Sequence, residues 1–289
     1  MKKVLINFTR IILPLLIIGL SVSCEDEHDY YENIVYKTDD VANVKFINTA
    51  IGPVTGTAGS SISVNYFMND LKVTSVGVTT GVPIGFGFGG TAPNTITYAV
   101  VPSGNQTLKS VTPSTSSTSN PPVVTPEIER TSEQVTTEAG KYYSCFLVGT
   151  SITTLKNHII NDDFSVATDP AKAYIRVVNT IENTPATGYK VVITKKYVAT
   201  STQPAYSTDL LTFENISFLG GSTVFVPFEP NVSGESNTYD LKLYNGTTLL
   251  STVTTFVPRP GRIYSIFTLG SVGLTGTTWA PRLTWYTNK

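Results

Sequence analysis

The sequence predicts an all-β chain whose main body is two tandem β-sandwich domains. Three observations predict it. Short runs alternate apolar and polar residues with a period of two, Gly and Pro interrupt the chain about every eight to twelve residues, and one pair of strand-like blocks occurs twice in the same order. After residue 23 no stretch keeps an amphipathic helical period for three turns, while Thr, Val, Tyr and Phe are abundant.

The N-terminus predicts export rather than fold. Lys2, Lys3 and Arg10 precede an apolar run from Ile11 to Leu20, interrupted by Pro14 and too short to span a bilayer, and Ser21-Val22-Ser23 leads into Cys24. This is the pattern of a lipoprotein signal peptide over residues 1–23, with Cys24 as the lipid-modified first residue of the mature chain. Ser21 stands where such signals usually carry Leu, and a retained anchor or a plain secretory signal is the competing reading. Glu25, Asp26 and Glu27 resemble the sorting tag that sends lipoproteins of Bacteroidota to the cell surface; a solvated linker is the alternative. Residues 24–40 are read as a flexible tether. The expected location is the outer membrane, lipid-anchored and exposed at the cell surface.

Removing three basic and no acidic residues with the signal leaves 17 basic against 21 acidic residues, a formal charge of −4. Those 17 are scattered among Thr, Ser and Asn with no basic stripe, which argues against nucleic acid as a partner. The only cysteines are Cys24 and Cys145, so lipidation of the first leaves no disulfide within the chain. Stability must come from core burial, for which the remaining length suffices.

The repeat sets the domain organisation. Residues 42–49, ANVKFINT, parallel residues 173–180, AYIRVVNT, and both close on Asn-Thr. Residues 138–149, EAGKYYSCFLVG, parallel residues 259–270, RPGRIYSIFTLG, sharing Gly, a base, Tyr and Ser ahead of an apolar strand and a final Gly. The predicted domains are residues 41–165 and 170–289. Within the first, Ser61–Met68 alternates as a half-buried strand and turns through Asn69-Asp70 into 71–76. Within the second, the strands 239–244 and 248–254 flank Asn245-Gly246, which predicts a type I′ hairpin turn. About seven strands per copy suit an immunoglobulin-like sandwich better than a closed barrel.

The first copy carries twelve extra residues between its hairpin Lys and its final Gly, in the Ser-, Thr- and Pro-rich stretch 111–124. That stretch reads as a solvated, mobile loop, with a binding loop as the alternative. The Gly-rich segment 81–90 is followed by neither a Lys-Ser/Thr pair nor a helix, so it is no phosphate cradle.

The paired blocks resemble domain of unknown function 4397, a family of extracellular β-sandwich modules common in surface lipoproteins of Bacteroidota. The resemblance rests on Ala42–Asn48 and Ala173–Asn179, on Asn69-Asp70, on Gly140–Ser144 and Gly261–Ser265, and on the acidic turn NDDFS at 161–165. The second copy departs after Tyr189, where VITKKYVATSTQPAY replaces a short hairpin. The resemblance implies a fold and a location and lends no activity.

Chemistry-bearing residues are sparse. His28 and His158 are the only histidines, which disfavours a Ser-His-Asp site or a multi-histidine metal site. Cys145 falls inside an apolar strand and is expected to be an inert, buried thiol. Asp162, Asp163 and Asp169 could hold calcium or simply close a turn, and the turn is the expectation, so no metal is assigned. No cofactor is expected. Trp279, Trp285 and Tyr286 are candidate ligand contacts, as exposed rings stack on sugars or grip partners; a final strand that buries them is the competing reading. The expectation is a non-catalytic surface lipoprotein that binds a glycan or a protein partner. The alternatives are a structural subunit of a surface appendage or envelope complex and, third, an enzyme acting on surface polysaccharide or peptide.

Overall fold

The structure is a computed structural model that describes residues 40–74, 78–79, 82–83, 85–116, 124–232 and 235–289. The stretch read as signal peptide, Cys24, Glu25, Asp26, Glu27 and His28 lie outside the described residues. In the first repeat the strands are β1 (Val41–Asn48), β2 (Asn65–Met68), β3 (Leu71–Lys72), β4 (Val78–Thr79), β5 (Val82–Pro83), β6 (Thr91–Ala92) and β7 (Ala99–Pro102). They continue as β8 (Gly104–Thr112), β9 (Thr115–Ser116), β10 (Val124–Thr125), β11 (Ile128–Thr137), β12 (Tyr142–Val148) and β13 (Lys156–Asn161). The second repeat holds β14 (Ala173–Val178), β15 (Tyr189–Tyr197), β16 (Tyr206–Ile216), β17 (Val226–Phe228), β18 (Thr238–Asn245), β19 (Thr248–Phe256), β20 (Ile263–Leu269) and β21 (Arg282–Thr287). Among the described residues, helix is confined to single turns at Phe164–Val166 and Gly276–Trp279.

The repeat read from sequence is a repeat of topology. The first copy orders its strands β11-β8-β2-β3 in one sheet and β13-β12-β1-β6 in the other, with β7 also on β1. The second orders them β19-β18-β15-β16 and β21-β20-β14-β17, in which β17 pairs with the start of β14 as β7 does with the start of β1, and the single bridge Val178–Gly221 stands where β6 pairs. In each, the opening strand lies parallel to the strand of the final block: Lys45 is paired with Ser144, and Arg176 with Ser265. Parallel pairing of strands so far apart in sequence needs the intervening chain as a crossover.

Each copy closes its two sheets over one core. Val44, Phe46, Tyr66, Met68, Leu108 and Cys145 fill the first, while Ile175, Val177, Val191, Ile193, Leu241 and Ile266 fill the second. A third cluster joins the copies: Ile47, Phe146 and Val148 from the first meet Val178, Phe267, Leu269 and Tyr286 from the second. Phe146 and Phe267, equivalent positions of the two copies, meet edge to face at 5.6 Å. The sheets holding β1 and β14 are thus covered on both faces, which is why β14 and β20 are buried at every position.

The repeated motifs follow from local chemistry. Gly140 and Gly261 take φ of +72° and +71°, a conformation that costs other residues a Cβ clash. The Tyr three residues later turns back: the hydroxyl of Tyr143 accepts from the Glu138 N–H and that of Tyr264 from the Arg259 N–H, each at 2.9 Å. The Asn ending each opening strand ties down the corner beyond it. Asn48 donates to the carbonyls of Ile62 and Phe86 at 2.7 Å each, and Asn179 donates to Thr184 Oγ1 and the Ile216 carbonyl at 2.8 and 3.1 Å.

Three local expectations are corrected. The hairpin of β18 and β19 exists, but its two-residue loop is Gly246-Thr247, with positive φ only at Gly246. That is the φ signature of type II′; type I′ belongs instead to Asn69-Asp70, with φ of +47° and +66°. The stretch 111–124 is not wholly loop, because β9 and β10 pair and lengthen the β8–β11 hairpin into a ribbon. The segment after Tyr189 is a long hairpin, β15 and β16, paired out to Tyr197 opposite Tyr206.

Candidate functional site

The most concentrated chemistry among the described residues lies on the seam between the repeats. It is built by the outward-alternating residues of β1, β12, β14, β20 and β21, which would face water if either repeat stood alone. Arg176, without solvent exposure, places Nη2 on Asp162 Oδ1 in a short charge-assisted bond and also 2.8 Å from Ser144 Oγ. Its Nε donates to Ser265 Oγ at 2.8 Å. Ser144 donates to Asp162 and accepts from the Tyr286 hydroxyl at 2.6 Å. Asp162 Oδ2 further accepts from Tyr98 at 2.7 Å and from Asn288 Nδ2 at 3.2 Å, and Ser265 donates to Asn288 Oδ1 at 2.8 Å.

The seam thus satisfies its own polar groups, as a buried ion pair must if desolvation is not to win. Lys45, the counterpart of Arg176, makes a different bond set. Its ammonium donates to the carbonyls of Thr95 and Pro93 at 2.5 and 3.2 Å and sits over the rings of Tyr98 and Tyr286. Burial pulls this ammonium down to about 8, against support from the Asp162 charge. Burial and then the same charge push the phenols of Tyr98 and Tyr286 up. The network ties strands of the first repeat to strands of the second.

The candidate ligand contacts are divided by this arrangement. Tyr286 is buried: its ring packs into the seam cluster and its hydroxyl is engaged by Ser144, while with Trp285 it also lines a cleft of about 350 Å³. Trp285 points the other way, half-buried on the second core with edge contacts to Phe256 and Tyr264 at 5.3 and 5.9 Å. Trp279 is half-buried and lies 5.0 Å from Phe88. Trp279 is not among the residues that line the cleft shared by Trp285 and Tyr286.

Other candidates resolve similarly. Cys145 is fully buried, and burial pushes its thiol up. Asp162 is committed to Arg176, and Asp163 instead caps the turn at Phe164–Val166 by accepting from the Ser165 N–H at 2.9 Å. Asp169 closes a turn by accepting from the Ala171 N–H at 2.8 Å. His158 lines a seam cleft of about 470 Å³ with Asn161, Asp163, Ser222 and Thr223; burial, then the neighbouring Lys156 and Arg176, lower its imidazole. Among the described residues, no three acidic, His or Cys side chains gather as a metal site would require.

Sequence reasoning missed a second open site, at the tip of the β15–β16 hairpin. There Tyr197 and Tyr206 stack with centroids 4.3 Å apart and planes 7° from parallel, beside a cavity of about 520 Å³. The two tyrosines nine positions apart were the available signal.

No curated protein matches the chain. Solved structures that resemble it include proposed cell adhesion proteins from Bacteroides ovatus, Bacteroides fragilis and Bacteroides eggerthii. The first is 10% identical, with 84% of this chain and 95% of that chain covered at a TM-score of 0.25. The second is 11% identical, with 86% and 98% covered at 0.24, and the third 9% identical, with 88% and 97% covered at 0.22. Residues 60–189, running from before β2 through β14 to the first residue of β15, match the family model described as Domain of unknown function (DUF4397), the family that the repeated blocks resemble.

Proposed function

We propose that the protein is a non-catalytic, lipid-anchored lipoprotein of the outer membrane, displayed at the cell surface as two tandem immunoglobulin-like sandwiches that bind a glycan or a protein partner. The observation that carries this reading is the export pattern: a basic start, a short apolar run and Ser23-Cys24 followed by Glu25, Asp26 and Glu27, all ahead of the first strand at Val41. The corresponding strand order of the two copies supports the sandwich assignment, as do the Tyr143 and Tyr264 hydroxyls that reach back to upstream backbone in the manner of a tyrosine corner. The seam supports display of both copies as one body, because the buried Arg176–Asp162 pair lets neither turn without stranding a charge.

The test is proteinase accessibility on intact cells, with the mass of the N-terminal peptide measured in parallel. The native chain should be digested and carry lipid on Cys24. A variant with Glu25, Asp26 and Glu27 changed to Ala should keep the lipid and become protected. Protection of the native chain, or an unlipidated Cys24, would overturn the reading.

A further inference from the structure

We propose that the tip of the β15–β16 hairpin is a binding site for a neutral, pyranose-containing oligosaccharide, an inference that rests on the surface-binding reading above. The second repeat has built something here that the first has not. In the first repeat the matching strands β2 and β3 are joined by the two-residue turn Asn69-Asp70, whereas residues 198–205 separate Tyr197 from Tyr206. Closing a hairpin does not need that length. The loop is nonetheless ordered by its own bonds: the Thr200 N–H donates to the Gln203 carbonyl at 2.8 Å, and the Gln203 N–H donates to Thr200 Oγ1 at 3.1 Å. A loop ordered in advance loses less entropy when a ligand arrives.

The cavity beside it, of about 520 Å³, is of ligand size and is lined by Tyr197, Thr200, Gln203, Tyr206, Glu235 and Asn237 among others. Its chemistry is that of a sugar site. Tyr197 covers one face of Tyr206, and Tyr206 remains 43% exposed, a large aromatic surface facing water. The π face of such a ring is electron-rich and attracts the weakly positive C–H face of a pyranose. Around the rings stand an amide, a hydroxyl and a carboxylate, donors and acceptors suited to paired hydroxyls.

Charge selects a neutral ligand. Lys195, 6% exposed, lies 5.0 Å from the Tyr197 ring centroid and 3.2 Å from Glu235 Oε2, which also accepts from Asn237 Nδ2 at 2.9 Å. Lys196 pairs with Asp240 at 2.8 Å. Both lysines at the site have carboxylate partners, so an anionic sugar would have to break a pair to gain one. Lys195 also fixes Glu235 in place, so that the carboxylate meets a ligand already oriented.

The experiment measures binding of the full-length protein in detergent to immobilised cellohexaose, mannohexaose and xylohexaose, with hexagalacturonic acid as the anionic comparator. The native protein should bind at least one neutral hexaose and should not prefer the acid. Tyr206→Ala and Glu235→Gln should each weaken that binding at least tenfold, while Tyr206→Phe, which keeps the ring, should stay within about threefold. Thermal unfolding of each variant separates lost binding from lost fold; the exposed Tyr206 position should leave it unchanged. Neutral-sugar binding that survives Tyr206→Ala would overturn this site while leaving glycan binding intact. Absence of neutral-sugar binding by the native protein would overturn the proposal itself, and the protein-partner form of the surface reading would stand apart from it.

Discussion

Arg176 and Lys45 occupy equivalent positions in the two repeats, each paired in register with the Ser of the closing block, yet only Arg176 is ion-paired across the seam. The planar guanidinium reaches four acceptors at once, Asp162, Ser144, Ser265 and the Asn161 carbonyl, where an ammonium could not match that fork. Two copies of one fold therefore meet through an asymmetric bond set, one cation supplying the charged link and the other resting on backbone carbonyls.

That asymmetry predicts how the seam fails. Asp162→Ala leaves the Arg176 charge buried without its partner and is expected to destabilise the protein by about 3–5 kcal/mol. Arg176→Met combined with Asp162→Leu removes both charges and should recover part of the loss, because the Phe225 ring already lies 4.7 Å from the guanidinium, while Tyr98, Asn288 and the two serines still lose partners. Urea unfolding of the native protein, Arg176→Met, Asp162→Leu and the double variant checks the cycle. A double-variant loss equal to the sum of the two single losses would show that the pair has no coupling of its own.

The repeat predicts matched energetics elsewhere. Tyr143→Phe and Tyr264→Phe each remove the hydroxyl that receives a backbone N–H at 2.9 Å. Each is expected to cost about 1 kcal/mol, since the freed N–H lies at a turn that water can reach. The measurement is the shift in urea midpoint at constant slope. A large loss in one repeat alone would mean that the two turns, alike in geometry, differ in how much of the fold depends on them.

Those motif residues were legible in the sequence because each has one local duty that fixes its type: Gly for a positive φ, Tyr for the turn, Asn for the corner. The seam was not legible, and the reason is physical. Lys45, Arg176, Ser144 and Ser265 alternate with core residues as solvent-facing residues do, and a strand cannot report which surface its polar side meets. The clue was the near-continuous apolar character around them, as in YYSCFLV and IYSIFTL, which marks strands covered on both faces. The same ambiguity makes Tyr286 a candidate ligand contact in the sequence although its ring is buried. The β15–β16 hairpin escaped because its Lys, Thr, Ser and Gln residues resemble loop, whereas its pairing depends on β18 alongside.

Cys145 gives a probe of the first core. It lies among Val44, Phe46 and Leu147, fully buried, with its thiol pushed up by that burial, so the reactive thiolate is both scarce and inaccessible. At pH 8 a disulfide reagent should label it only as fast as the first repeat opens. The labelling rate should match the unfolding rate from denaturant jumps and rise sharply in Asp162→Ala if the seam supports that core. Rapid labelling of the native protein would show that the sheet over Cys145 opens locally.

The Lys45 ammonium makes stability depend on alkaline pH in a direction that can be worked out. Its folded value, about 8, lies below the ordinary lysine value of 10.5. Between those limits the unfolded chain holds a proton that the folded chain has released, so raising the pH favours the folded state. The slope approaches about 1.4 kcal/mol per pH unit. The buried phenols and Cys145 act oppositely, because their folded values are raised and the unfolded chain loses those protons first. They are common to the native protein and to Lys45→Met, so the difference between the two isolates Lys45. Unfolding free energies at pH 7, 8, 9 and 10 should show the native protein gaining on Lys45→Met by about 1–3 kcal/mol across that range. A constant difference would mean that Lys45 stays charged up to pH 10, held by the carbonyls of Thr95 and Pro93 and the two aromatic rings, and that its burial costs the fold far less than its surroundings imply.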